Sequence, residues 1–158
     1  MPSLHPLLED PRNVELIRLL QAQPRMAVSE LARRIGMSAP AVRERLARLE
    51  EARVIEGFRL DINPAAVGLP ITLFIRVRPF PGKLQKVLEL ARSLPQVTEC
   101  HRVTGEDCFI MKVYLDAIEH LDQILDRVLL YGETTTSVVQ STPVAHRAPP
   151  LPLGTRPS

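Results

Sequence analysis

The chain has 158 residues, which is enough for one ordinary domain or two small ones. Apolar residues make up 45%, charged residues 24% and the net charge is +2, which is typical of a soluble globular protein. No run approaches the roughly 18 apolar residues of a membrane span, and the N-terminus lacks the features of a secretory signal, so we expect no membrane association and a cytoplasmic location.

Helical patterns fill the N-terminal part of the chain. Asp10 precedes a proline and a helical spacing of apolar residues, which predicts a first helix that ends near Pro24. Ser29 is placed to cap a second helix, and Gly36 to end it in the left-handed conformation. These two helices form the beginning of a three-helix pattern.

The third helix follows at once, with Ser38 as its predicted N-cap and Pro40 in its first turn. The segment 54–61, with the sequence VIEGFRLD, is predicted as a strand. Two helices joined by a short turn that contains glycine, with a third helix before them, match the helix-turn-helix pattern. The strand would then be the wing of a winged helix-turn-helix.

The third helix carries the candidate DNA-binding surface. Its apolar residues predict one buried face, which leaves small residues and Arg43 on the opposite face, where they would enter a major groove roughly 12 Å wide. Arg43 is expected to read base edges, and the other arginines to contact the phosphate backbone. The small residues at the start of the helix are expected to let it enter the groove. The alternative is an ordinary solvated face with a Glu44–Arg48 ion pair. The candidates are Arg25, Ser29, Arg33, Arg34, Ser38, Ala39, Pro40, Arg43, Arg45 and Arg48.

The C-terminal half reads as β-α-β-β-α-β, the ferredoxin-like arrangement. Its first strand shows strict apolar and polar alternation, and amphipathic helices separate the strands. We expect strands at 71–78, 97–103, 108–115 and 134–141, and helices at 84–94 and 118–128. The predicted domains are 1–63 for DNA binding, 64–144 for dimerisation and effector binding, and a Pro-rich flexible tail at 145–158, in an α+β protein.

One face of the predicted sheet has no helix to cover it, because two helices cover only one side of four strands. Phe74, Ile110 and Tyr114 fall on this face, which is too apolar to remain in water. We therefore expect a homodimer.

In this order and spacing, the motifs resemble those of the Lrp/AsnC (feast/famine) transcriptional regulators. The similarity covers residues 12–144 and rests on SELARRIGMSAPAVRERLARLEEARVI, LDINPAAVGLP, RVTGEDCFIMKV and GETTTSVVQSTPV. It implies a regulator of transcription and no enzymatic activity. It further implies dimers that form through the C-terminal sheets, assembly to tetramers or octamers, and an amino-acid effector without any cofactor.

The resemblance also implies an effector site, at the loop between the second and third strands and on the last strand. The candidates carried over by position are Thr104, Gly105, Glu106, Asp107, Thr134, Thr135 and Thr136. The chain departs from the family where Arg53 replaces a usual glycine after the recognition helix. If that site is left-handed, Arg53 carries backbone strain.

Other function classes have weaker support. Cys100, His101 and Cys108 suggest a metal- or thiol-responsive regulator, but adjacent residues on a strand point to opposite faces, and no set of four ligands is evident, so we assign no metal site. No nucleotide-binding or hydrolase motif is present. The remaining alternative is an amino-acid-sensing module that oligomerises without binding DNA.

Overall fold

The computed structural model describes residues 4–151. These residues form two compact units, one up to Leu60 together with the residues from His146, and the other Asp61–Ala145. Within the described range, no helix combines the length and the apolar character that crossing a membrane requires.

Three helices build the N-terminal unit: α1 (Pro11–Ala22), α2 (Val28–Ile35) and α3 (Ala39–Glu51). A short 3-10 turn, Pro6–Leu8, precedes them. The helices pack around one apolar cluster because each has a single apolar face. The cluster contains Leu16, Leu20, Leu31, Ala32 and Val42. The predicted helix-turn-helix is confirmed.

The turn between α2 and α3 forms at Gly36 and Ser38, as predicted, but the predicted start of α2 needs a correction. Gly36 ends α2 in the left-handed conformation at φ 66°, and the hydroxyl of Ser38 accepts a hydrogen bond from the amide of Ala41 at 3.4 Å. The predicted cap at Ser29 is wrong, because α2 begins at Val28 with Ala27 as its N-cap. Ser29 therefore lies inside the first turn, where its side chain is exposed.

The predicted strand at 54–61 is also wrong for the described residues. The amides of Val54 and Ile55 donate hydrogen bonds to the carbonyl of Leu49 at 2.9 and 3.0 Å, and these bonds end α3. The following residues up to 61 pair with no other described strand. A strand needs a neighbour to satisfy its backbone groups, and the only sheet in residues 4–151 does not include this segment. Among residues 4–151, the N-terminal unit therefore contains no strand that could form the predicted wing.

Arg53 takes the left-handed conformation, with φ 54°, at the point where α3 ends. It is the only non-glycine residue with positive φ among the described residues. The strain expected of an arginine at the family's glycine position is therefore present.

The C-terminal unit has the predicted β-α-β-β-α-β order. Its four strands form one antiparallel sheet in the order β2-β3-β1-β4. The elements are β1 (Ile71–Pro79), α4 (Leu84–Ser93), β2 (Val97–Arg102), β3 (Phe109–Leu115), α5 (Leu121–Leu129) and β4 (Gly132–Val138).

The two faces of this sheet differ as the alternation predicts. Leu73, Ile75 and Val77 of β1 are fully buried in the core that also includes α4 and α5. On the other face, Phe74 lies opposite Lys112 of β3 and remains 39% exposed. We call this second face, which includes Thr72, Phe74, Arg76, Ile110 and Tyr114, the open face.

The described part of the C-terminal tail associates with the N-terminal unit. The side-chain amide of Gln21 on α1 donates a hydrogen bond to the carbonyl of Pro149 at 3.3 Å, and Leu151 is partly buried. The rest of the tail prediction falls on residues 152–158, outside the described residues.

Candidate nucleic-acid interface and effector loop

The exposed side of α3 is the candidate nucleic-acid interface. Val42 and Leu49 are fully buried, so the helical repeat turns Pro40, Arg43 and Ala47 outward, where all three are exposed. Small residues beside Arg43 let another molecule approach the helix backbone closely. This face presents one long cation between short side chains.

Arg43 is the free cation of this face. No described side chain makes an ion pair or a hydrogen bond with it. Arg48, five residues further on, is paired with Glu44, and both side chains are more than 60% exposed. The predicted Glu44–Arg48 pair is therefore present. An exposed pair of this kind contributes little to stability, so it opposes an incoming phosphate only weakly.

The arginines of α2 share a single carboxylate. Arg33 and Arg34 donate to Glu30 at 2.6 and 2.7 Å, and their hydrogen bonds lower the pKa of Glu30 to about 2. Two cations against one anion leave one net positive charge at the end of α2. Arg25, in the turn before α2, is exposed as well.

Arg45 was predicted to contact a DNA phosphate, but in the structure its side chain contacts the start of α1. Its guanidinium donates to the carboxylate of Asp10 at 2.5 Å and to the side-chain oxygen of Asn13 at 2.8 Å, which joins α3 to the start of α1. Asn13 is 4% exposed, and its amide donates to the carbonyl of Leu7 at 2.8 Å. Since its charge is already paired and its side chain is only 24% exposed, we remove Arg45 from the candidate interface.

The predicted effector loop joins β2 to β3. Gly105 has φ 112°, a conformation that side chains rarely adopt, and the amide of Val103 donates to the carbonyl of Cys108 at 2.8 Å to close the turn. Thr104 is exposed on the same turn. The loop therefore presents backbone amides next to acidic side chains.

An arginine that the sequence reasoning missed holds this loop. Arg78 of β1 forms an ion pair with Glu106 and lies 3.8 Å from the carboxylates of both Asp107 and Glu133. It thereby joins the loop to the start of β4. The strand alternation places Arg78 on the open face, but only the antiparallel register shows that Glu133 faces it.

The three candidate threonines of β4 do not share one face. Thr134 and Thr136 pair with Val77 and Ile75 and are partly buried on the helix side, whereas Thr135 is exposed opposite Arg76. A ligand on the helix side of the sheet would therefore meet Thr134 and Thr136, whereas a ligand on the open face would meet Thr135. Only Thr135 lies on the same face as Arg78.

The cysteines give no geometric support to a metal or thiol site. The register pairs Cys100 with Met111 on the helix side and His101 with Ile110 on the open face. Burial raises the pKa of the Cys100 thiol, which favours the unreactive form. In the part of the chain that the structure describes, no three His, Cys, Asp or Glu side chains come together as metal ligands.

Comparisons with known protein families agree with this two-unit architecture. Residues 10–50 match the model of the AsnC-type helix-turn-helix domain, and residues 72–149 match that of the Lrp/AsnC ligand binding domain. The match to the ligand binding domain includes both helices and all of the sheet except Ile71, the first residue of β1.

Individual relatives cover most of the chain. The uncharacterized HTH-type transcriptional regulator PH0140 of Pyrococcus horikoshii is 36% identical over 80% of this chain and 82% of its own length. The HTH-type transcriptional regulator LrpA of Mycobacterium tuberculosis is 33% identical over 72% of this chain and 76% of its own length. A solved feast or famine regulatory protein from M. tuberculosis, complexed with L-methionine, superposes with a TM-score of 0.83 at 29% identity, over 90% of this chain and 99% of that one.

These matches agree in family, in fold and in the order of the two domains. They are matches to regulators of transcription and not to enzymes. The chain belongs to the Lrp/AsnC family of DNA-binding transcriptional regulators, with a helix-turn-helix followed by a ligand-binding domain.

Proposed function

We propose that this regulator recognises a specific DNA sequence by placing the exposed face of α3 in the major groove. The observation that carries the proposal is the position of Arg43, which is exposed, unpaired among the described residues and set between Pro40 and Ala47. Arginine is the commonest partner of guanine in the major groove, where its two nitrogens bind O6 and N7 together. Arg43 is therefore the proposed base reader.

Phosphate contacts would surround this reader. Ser38 and Ala39 start α3, and the positive end of a helix dipole and its free amides bind a phosphate readily. Arg48 lies on the same exposed side of α3. Arg25, Ser29, Arg33 and Arg34 are the proposed contacts from α2 and the turn before it. Contacts of this kind give affinity and register rather than specificity.

The proposed division of labour follows the sequence prediction, with residues 1–63 binding DNA and residues 64–144 binding a partner and an effector. The open face supports a homodimer, since Phe74 is exposed and Ile110 and Tyr114 are only partly buried in a single chain. A dimer with two-fold symmetry would bind two half-sites in a pseudo-palindrome, spaced by about one helical turn or a multiple of it. Tetramers or octamers would form from such dimers.

The proposed effector is an amino acid, bound at the loop between β2 and β3. Two observations support this site: the loop amides around Gly105 suit a carboxylate, and Glu106 and Asp107 suit an ammonium group. The complex of the M. tuberculosis relative with L-methionine shows that this kind of ligand binds within the family. Thr104, Thr134, Thr135 and Thr136 are the remaining proposed contacts.

An effector of this kind would change DNA binding only through a difference in its affinity for two states of the protein. We propose that these states are two assemblies, or two spacings of the DNA-binding units within one assembly. An amino acid that binds both states equally would leave the DNA affinity unchanged.

A gel-shift experiment tests the proposal. The probe is the DNA upstream of the protein's own gene, with a scrambled duplex of equal length and composition as the control, and each is run with and without a panel of amino acids. We expect retardation of the first duplex at protein concentrations that leave the second free. If both duplexes stay free at low ionic strength, the chain is an oligomerising sensor that does not bind DNA.

A further inference from the structure

Arg78 joins the two parts of the proposed effector site, the loop between β2 and β3 and the start of β4. Its guanidinium forms an ion pair with Glu106 and lies 3.8 Å from the carboxylate of Asp107. We call these two acidic groups the loop carboxylates. The carboxylate of Glu133 in β4 also lies 3.8 Å from the guanidinium. One cation is therefore in close contact with one anion, while two more anions lie within reach.

Glu133 is placed to become the closer partner. The antiparallel register sets it directly opposite Arg78, so both side chains leave the sheet on the open face, and their Cβ atoms are about 4.5–5.5 Å apart. The two backbones are in close contact here, because a Cβ atom on Gly132 would lie 2.5 Å from the carbonyl oxygen of Arg78. Among the described residues, Glu133 has no other ionic partner. Rotation of exposed side chains is therefore enough to bring this pair together.

The pair between Arg78 and the loop is open to competition. The side chain of Glu106 is 80% exposed, and that of Arg78 is 47% exposed. Because water solvates both charges, an ion pair of this kind is weak. A cation from solution can therefore replace the guanidinium at the loop carboxylates, and the ammonium group of an amino acid is such a cation.

An ammonium group at the loop carboxylates would change the surroundings of Arg78. It would lie close to the guanidinium, since both groups bind the same oxygens, and like charges at a short distance repel each other. Pairing with Glu133 would move the guanidinium away from the ammonium group and give it a new anion. The site thus offers Arg78 two arrangements, of which only one leaves the loop carboxylates free.

We therefore propose that Arg78 is an internal competitor of the effector, an inference that rests on the effector site proposed above. Without an amino acid, Arg78 occupies the loop carboxylates. When the ammonium group of an amino acid binds them, Arg78 turns to Glu133, immediately before the candidate threonines of β4. Arg78 thereby lowers the affinity for the effector, and Glu133 limits this loss.

Isothermal titration calorimetry on the full chain, with each of the common amino acids, tests the competition. Arg78→Gln removes the competitor, so an amino acid that binds the wild type should bind this variant about two- to fivefold more tightly, as the loss of an exposed ion pair predicts. Arg76→Gln is the matched control, because it removes the same charge from the same face of β1, and it should leave the affinity nearly unchanged. If Arg78 only held the loop in shape, Arg78→Gln would bind the amino acid more weakly.

A double-mutant cycle tests the second partner. Glu133→Gln should weaken binding about two- to fivefold, because the displaced guanidinium then has no anion to turn to. When Glu133→Gln is added to Arg78→Gln, the affinity should stay that of Arg78→Gln, since Glu133 acts only through Arg78. If Glu133→Gln weakens binding equally in both backgrounds, Glu133 attracts the effector directly and the proposal is wrong.

Gly105→Val separates the competition from the effector site itself. If this variant loses the binding but Arg78→Gln leaves the affinity unchanged or lowers it, the competition is wrong and the effector site stands. If Gly105→Val binds like the wild type, or if no amino acid binds either the wild type or Arg78→Gln, both proposals are wrong.

Discussion

The guanidinium of Arg45, in the middle of α3, donates to the carboxylate of Asp10, the residue that caps the start of α1. Asp10 also accepts a hydrogen bond from the amide of Arg12. A single carboxylate therefore caps α1 and binds a side chain of α3. The recognition helix is thereby fixed to the first helix by a polar contact as well as by apolar packing. We propose that this contact gives Arg45 a structural role, so that among the six arginines in residues 25–48 it is the one that does not contact DNA.

Replacing Arg45 should affect stability more than electrostatics at the interface. Arg45→Ala removes two hydrogen bonds from a half-buried site, so we expect the free energy of unfolding to fall by about 1 kcal/mol. The salt dependence of DNA binding should stay unchanged, because this charge is already neutralised. Denaturant unfolding followed by circular dichroism, together with DNA titrations at several salt concentrations, measures both effects.

Arg48→Ala is the matched control for this experiment. It removes a cation from the exposed side of the same helix, so it should change stability little and reduce the salt slope by about 1. A reduced slope in Arg45→Ala would return Arg45 to the interface.

The same pair predicts a dependence of stability on pH. The hydrogen bond from Arg45 lowers the pKa of Asp10 below its usual 3.8. A carboxyl group with a lowered pKa in the folded state stabilises the protein above its unfolded-state pKa, and this stabilisation is lost as the pH falls. The difference in unfolding free energy between the wild type and Asp10→Asn should therefore be constant above pH 3.8 and shrink as the pH falls below that value. A difference that stays constant in acid would show that the pairing does not depend on the charge of Asp10.

Arg53 gives a test of backbone strain. Arg53→Gly relieves a left-handed conformation that costs a non-glycine residue roughly 1–2 kcal/mol, while it adds flexibility to the unfolded chain worth about 0.4–1 kcal/mol. We expect a net stabilisation of between about 0 and 1.6 kcal/mol from these terms. Arg53→Val should destabilise, since a β-branched side chain fits this conformation least well. If glycine and valine give equal stabilities in denaturant unfolding, the left-handed conformation at this site is wrong.

Gly105→Val tests the proposed effector loop. Glycine at φ 112° has no good substitute, so valine should distort the turn while the buried core of the sheet, which it does not touch, stays folded. We expect DNA binding without effector to persist and the response to amino acids to disappear. The measurement is the gel shift with the amino-acid panel, and Glu119→Gln, a change on an exposed residue before α5, is the control. A Gly105→Val protein that still responds would place the effector elsewhere.

The sequence predicted those features that depend on local patterns. The alternation in β1 identified both faces of the sheet, and Gly36 and Ser38 marked the turn between α2 and α3 correctly. Their signals lie within a few residues of the structure they specify. The strand at 54–61 failed for the opposite reason, since its composition suits a strand but no described segment offers it a partner.

Long-range pairing limited the prediction of the sites. A helical wheel places Arg45 at the flank of α3, but it does not show that Asp10 lies beside it, far away in sequence. Arg78 was missed for the same reason, because its partners Glu106 and Glu133 come from a loop and a different strand. The exposure of Arg43 was predicted correctly, because the exposed positions of a helix follow directly from the spacing of its buried residues.

The DNA affinity of Arg43→Ala tests the central claim most directly. It should be measured by fluorescence anisotropy on the operator footprinted upstream of the gene, on the same operator with each guanine replaced in turn, and on a scrambled duplex. We predict that the substitution costs about 1–3 kcal/mol on the operator, and that the loss disappears when one particular guanine has already been replaced. An equal loss on every duplex, or no loss on any of them, would contradict the account.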